Sequence, residues 1–156
     1  MKLMLDTQIF DHLTAKPTLI STLNLLQENK KVAIISTHIQ EDELAGIKDK
    51  EKSRTIARIN RVLVNTTGAV YGVSKYGRST YGDGSTSSVS IHDIRPPNTN
   101  NHTHDALIAT SASRHADIFV TEDKRLRNRL ESLTQKKCKI WNFLELENWI
   151  ISQKFP

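Results

Sequence analysis

Residues 101–129 read NHTHDALIATSASRHADIFVTEDKRLRNR. The small and apolar residues after Asp105 predict a helix that an acid opens. Residues 117–120 (DIFV) are a short apolar run, which predicts a buried strand. Thr121-Glu122-Asp123 closes that strand. Leu126, Leu130 and Leu133 then recur at helical spacing and predict a second helix over 124–133. Helix, strand and helix in close succession are the building unit of a parallel α/β sheet. Open parallel sheets bind ligands just beyond the carboxyl ends of their strands. Asp123 falls at such an end, and Asp105 lies in the first turn of the helix leading into that strand. Unpaired acids at close range raise each other's pKa unless a cation holds them ionised, so the pair points to a cation site.

Working back toward the N-terminus, residues 2–5 form an apolar run that stops at Asp6 and predicts a buried strand. Ile9, Phe10 and Leu13 then predict a helix over 7–13, ended by Pro17. Leu19, Leu23 and Leu26 predict another over 18–28. Residues 32–35 (VAII) are the clearest buried strand, followed by Ser36 and Thr37, both good helix N-caps. A helix is expected over 38–46, with Glu41, Asp42 and Glu43 in its early turns. Ile56, Ile59 and Leu63 predict a helix over 48–63, with Arg54, Arg58 and Arg61 along one side. Toward the C-terminus, residues 139–143 read as a last strand and 145–151 as a terminal helix packing Leu146 and Trp149. The expected fold is one α/β domain over residues 1–156, a central parallel sheet with helices on both faces.

The composition changes between residues 65 and 100. Gly68, Gly72, Gly77, Gly82 and Gly84 lie here, five of the chain's six glycines, so the segment reads as an insertion. Residues 62–64 and 69–71 hold candidate strand segments that would continue the sheet. Residues 89–91 alternate like a brief strand. The rest, with Tyr76 and Tyr81, reads as a loop or hairpin flap, and long loops in compact domains are often functional.

A chain of 156 residues is long enough to bury roughly 70% of its unfolded surface in one core. Its net charge of +5 favours anionic partners such as nucleic acid. Cys138 is the sole cysteine, which excludes an internal disulfide and a thiolate metal cluster. The N-terminus turns acidic too soon for a signal peptide, and no apolar run approaches the roughly 20 residues that span a membrane. A cytoplasmic protein without membrane contact is expected.

Four acids occupy corresponding places. Asp6 and Asp123 end strands, Glu43 lies in the helix after the second strand, and Asp105 opens a helix. Right-handed crossovers bring the carboxyl ends of these strands to one edge of the sheet, where the four can converge. Such an oxygen-rich cluster suits Mg²⁺ or Mn²⁺ and the hydrolysis of a phosphodiester. Taken singly, each acid reads equally as a helix cap or a solvated charge.

Three stretches resemble the PIN domain nucleases: LMLDTQIF, IISTHIQEDELAGI and, above all, HDALIATSASRHADIFVTEDKRL. They cover both ends of the chain, about two thirds of it, and leave 65–100 unmatched. The resemblance implies metal-dependent cleavage of RNA, with Asp6, Glu43, Asp105 and Asp123 as the metal-binding, catalytic acids. Glu43-Leu44, six residues after Thr37, fits the family's spacing, whereas Glu41 suits only a shifted register. Thr121 matches the hydroxyl of the family's Thr-x-Asp turn and is expected to orient a carboxylate or a water. Glu122 stands where the family has a polar residue, either as a second acid beside Asp123 or facing solvent. Thr7 and Gln8 are secondary polar candidates. Many family members are the toxin half of toxin–antitoxin pairs, so an antitoxin or regulatory protein and a homodimer are open as partners.

Lys124, Arg125, Arg127 and Arg129, with Arg54, Arg58 and Arg61, are candidates for guiding a phosphate backbone toward the acids. A solvated helix face is the plain alternative. Tyr76 and Tyr81 either stack on unpaired bases or pack on the body. His102 and His104 in a polar loop read as solvated rather than as a metal pair. Ser36 and His38 lack the nucleophile turn of a Ser-His-Asp site. Neither a Walker loop nor a Rossmann fingerprint occurs. The competing functions are a non-catalytic nucleic-acid-binding or protein-interaction module, a nuclease acting on single-stranded DNA, and a receiver-like regulatory domain, which Thr121-Glu122-Asp123 fits poorly.

Overall fold

The computed structural model describes residues 1–68, 70, 73–80, 90–94, 103–133 and 137–153. Tyr81 and His102 therefore lie outside the described residues. Among the described residues no helix is long and apolar enough to cross a membrane.

Three strands carry the centre of the sheet: β1 (Lys2–Leu5), β2 (Ala33–Ser36) and β6 (Ile118–Val120). Each is a run of apolar residues, as expected of strands covered on both faces. β1 pairs in parallel with β2 on one side and with β6 on the other. Two short outer strands, β3 (Val62–Leu63) and β7 (Lys139–Trp141), complete a five-stranded parallel sheet in the order β3-β2-β1-β6-β7. The chain thus builds outward from β1 in one direction and then crosses to build in the other. The switch point lies between β1 and β6, the place where an open α/β sheet leaves a crevice.

Side chains alternate along each strand and feed two separate cores. Leu3, Leu5, Ile34, Ile118 and Val120 point to one face. There they meet α1 (Thr7–Thr14), α2 (Pro17–Glu28), α4 (Lys50–Ala57) and α8 (Phe143–Ser152). Met4, Ile35 and Phe119 point to the other face. Against them pack the four-residue α5 (Ile91–Ile94), α6 (Thr103–His115) and α7 (Lys124–Ser132). The helix α3 (His38–Ala45) serves both cores, with Ile39 on this side and Leu44 on the first. Each fully buried aliphatic side chain adds roughly 1.5–3 kcal/mol, so both layers are needed to hold the sheet.

Four expectations need correction. The helix expected over 48–63 is shorter. Asp49 caps α4 by accepting from the N–H groups of Glu51 and Lys52, and the helix ends at Ala57. Val62 and Leu63 are instead drawn into the sheet opposite Ile35 and Ser36. Arg61 thereby leaves the side that holds Arg54 and Arg58. Second, residues 91–94 are helical rather than part of a strand over 89–91, of which residue 89 lies outside the described residues. Third, α6 begins at Thr103, two residues before Asp105. Fourth, among the described residues the inserted segment adds no strand to the main sheet; the candidate strand at 62–64 does continue it as β3, and residues 69 and 71 of the other candidate lie outside the described residues. β4 (Thr66–Thr67) and β5 (Ser79–Thr80) form their own two-stranded ribbon. It is tied to α6 where Thr67 N–H donates to Ser111 Oγ at 2.9 Å. Gly68 follows at φ +93, a left-handed conformation that favours glycine.

Candidate active site

Asp6 stands at the end of β1 and begins α1. Its Oδ1 accepts from the N–H of Thr7 at 2.8 Å and its Oδ2 from the hydroxyl of Thr121 at 2.7 Å. The backbone holds the two residues side by side, because Asp6 N–H donates to the carbonyl of Val120. Asp6 is 6% exposed and Thr121 fully buried. Burial, and then the charges of Asp105 and Glu43, push the Asp6 carboxyl up to about 6 against the pull of its hydrogen bonds. Asp105 on α6 and Glu43 on α3 are therefore both close enough to act on Asp6 at the end of β1.

The placement of α3 is set at its first turn. Thr37 caps it reciprocally with Gln40, and the Gln40 side-chain amide donates to the carbonyl of Leu5, the residue before Asp6. This bond locks α3 to the end of β1. Glu43 then faces the site, where the hydroxyl of Thr7 donates to it. Thr7 thus bridges two acids, donating through its N–H to Asp6 and through its hydroxyl to Glu43. Glu41, two residues earlier in the helix, is already occupied: Arg61 donates to both of its oxygens, at 2.8 and 3.1 Å. That pairing turns Glu41 toward Arg61, whereas Glu43 acts on the Asp6 carboxyl. Asp42 is also engaged, by Lys75.

Asp123 ends the turn after β6 and caps α7, its Oδ1 accepting from the N–H groups of Arg125 and Leu126. Its own N–H donates to Thr121 Oγ at 3.1 Å. A single hydroxyl therefore ties Asp6 to the backbone of Asp123. Asp105 and Asp123 share a cleft with Ile94, Ala106, Arg125, Leu126 and Arg129. Glu43 lines a second cleft with Ile39, Asp42, Val73 and His104. His104 Nδ1 lies 3.3 Å from Glu43 Oε1.

Several expected residues lie elsewhere. Glu122 is neither a second acid beside Asp123 nor simply solvated: its Oε1 accepts from the N–H of Phe143 at 2.6 Å and so holds the start of α8. Gln8 is exposed on α1. Arg54 and Arg58 are exposed at α4, away from both clefts. Lys124 and Arg127 do not line the cleft of Asp105 and Asp123, whereas Arg125 and Arg129 do. Among the described residues neither of these two arginines is in an ion pair. Their four-residue spacing puts them on one face of α7, a signal present in the sequence. Ser36 Oγ and the ring nitrogens of His38 do not bond each other, so no Ser–His relay exists.

The donor set is all oxygen, from carboxylates and threonine hydroxyls, and suits a hard divalent cation rather than a softer metal. Each Asp6 oxygen has one accepted bond and a second lone pair to offer. Among the described residues no three His, Cys, Asp or Glu side chains form a group tight enough to clasp an ion. The fit is to an ion that keeps much of its hydration, as Mg²⁺ does. Comparisons with protein-family models, curated proteins and solved structures returned no match.

Proposed function

We propose that the chain is a metal-dependent endoribonuclease of PIN type, hydrolysing phosphodiester bonds in RNA. The observation that supports this best is Asp6, a buried carboxyl beside Asp105 and Glu43, with no cation pairing it among the described residues. Burying the Asp6 carboxyl beside two half-exposed acids is unfavourable, and a bound cation would offset that cost. Asp6, Glu43 and Asp105 would hold Mg²⁺ or Mn²⁺, directly or through water, with Asp123 beside them. Such an ion supplies positive charge where the phosphodiester gains negative charge, and acidifies the attacking water.

The chain's own groups do the rest. Thr121 and Thr7 fix the Asp6 carboxyl by a hydrogen bond on each oxygen. Arg125 and Arg129 offer guanidinium groups in the cleft of Asp105 and Asp123, placed to draw in a phosphate. The net charge of +5 adds long-range attraction for a polyanion.

The test is cleavage of labelled single-stranded RNA and DNA by the purified protein with Mg²⁺, with Mn²⁺ and with chelator. Asp105→Asn and Asp123→Asn run alongside. RNA cleavage that needs metal is expected, lost in both variants with the fold retained. Activity retained in both variants would defeat the mechanism, and preferential cleavage of DNA would change the substrate. The looseness of the acid group favours one second reading, a non-catalytic nucleic-acid-binding module on the same fold. It predicts binding without turnover under every metal condition.

A further inference from the structure

Tyr76 lies in the inserted segment, outside every stretch that resembles a known family, and its relative exposure is 105%. No part of the described body covers the ring. The turn that carries it is nonetheless held at both feet. On one side, Lys75 pairs with Asp42 of α3, a residue that lines the cleft of Glu43 and His104. Val73, just before, lines the same cleft. On the other side, the Arg78 carbonyl accepts from the N–H and the hydroxyl of Thr66, each at 2.9 Å. Arg78 N–H closes the turn on the Lys75 carbonyl at 3.1 Å. Between them Gly77 takes φ +74, with nothing within 4 Å of a Cβ built there. The turn therefore projects from the body while its base is fixed against the wall of the cleft of Glu43 and His104.

A large ring held in water gains nothing from folding. Tyrosine has few rotatable bonds, so it loses little freedom when a flat partner covers it. Lys75 is paired with Asp42, while Arg78, two residues after the ring and in no ion pair among the described residues, supplies a positive charge that fits a polyanion rather than an apolar protein groove. We propose that residues 75–78 form a platform on which one unpaired base of the substrate strand stacks, with Tyr76 as the stacking ring. The proposal rests on the nuclease reading and extends it to a residue that selects for unpaired bases. Arg125 and Arg129 would hold the backbone in the cleft of Asp105 and Asp123, while Tyr76 receives a base beyond the cleft of Glu43. A duplex keeps its bases stacked inside and has none to offer.

The test measures binding in chelator, so that no strand is cut, to a short single-stranded RNA carrying a fluorescent adenine analogue and to the duplex of the same sequence. Wild type, Tyr76→Phe and Tyr76→Ala are compared. Because the side chain is fully exposed, all three should fold alike, which thermal melting by circular dichroism checks. Tyr76→Ala should bind the single strand roughly tenfold more weakly and lose the quenching of the analogue. Tyr76→Phe should keep both, and the duplex should bind all three proteins equally. Equal affinity of Tyr76→Ala for the single strand, or an equal loss on the duplex, overturns the platform. If wild type cleaves RNA with metal and residue 76 makes no difference, only the platform fails, and Tyr76 is left to contact protein. If wild type binds neither strand and cleaves nothing, the nuclease reading falls with it.

Discussion

At Asp6 the protein buries a carboxyl beside two others, and above pH 6 that group is ionised where little water reaches it. Its pKa rises from 3.8 to about 6 on folding, so the native state holds the proton more tightly than the unfolded state. Stability from this group is thus complete below pH 4, falls as pH rises through about 6, and stays low above. The size is at most about 3 kcal/mol. Asp6→Asn should raise stability at pH 7.5 by about 1–2 kcal/mol, or roughly 3–6 °C in thermal melting, and do little at pH 4. It should also abolish cleavage. Mg²⁺ should raise the melting temperature of wild type at pH 7.5 and leave Asp6→Asn unmoved. A variant no more stable than wild type at pH 7.5 would show that Asp6 is compensated in the free protein. Thr121→Val removes the hydroxyl that steadies the ionised Asp6 and leaves the N–H of Asp123 without its acceptor. It should cost about 1–3 kcal/mol and move the pH of half-maximal cleavage upward by roughly one unit. A pH–rate profile checks the direction.

Among elements, α7 separates its basic residues by face. Arg125 and Arg129 line the acidic cleft and Arg127 does not. Arg125→Ala and Arg129→Ala should each weaken RNA binding and lower the salt slope by about one, while Arg127→Ala stays close to wild type. A salt titration of binding reads this directly, and equal slopes in all three would assign the effect to net charge. How much of the site could be read from the chain also divides by element. Asp6, Asp105 and Asp123 were legible because each sits beside a short apolar strand or opens a helix. Glu43 was singled out by its spacing from Thr37, whereas the partner of Glu41, Arg61, lies twenty residues on and leaves no local signal. The partner of Glu122 lies twenty-one residues away, out of reach of any local pattern. β3 carried two readings, since Ile56, Ile59 and Leu63 continue a helical spacing while 62–64 also read as a strand segment, and sheet pairing decided for the strand. The brief apolar alternation at 89–91 is too short to tell strand from helix, and residues 91–94 are helical.

For the whole molecule, strand composition carried most of the fold. Runs with no polar interruption, separated by helical spacing, leave a parallel sheet covered on both faces as the natural solution. The strand order was not written there, since it depends on which crossover turns back over β1. That order places β1 in the middle, paired along both sides, with Asp6 at its end. Its position has a consequence in time. Amides of Leu3, Met4 and Leu5 should exchange with deuterium only when the entire domain opens, whereas those of 73–80 should exchange through small local openings. Exchange followed by mass spectrometry distinguishes the two, and equal rates would count against it. Asp6 would then be an anvil that stays still through every turnover, while the inserted turn, though anchored at its base, opens on its own short timescale.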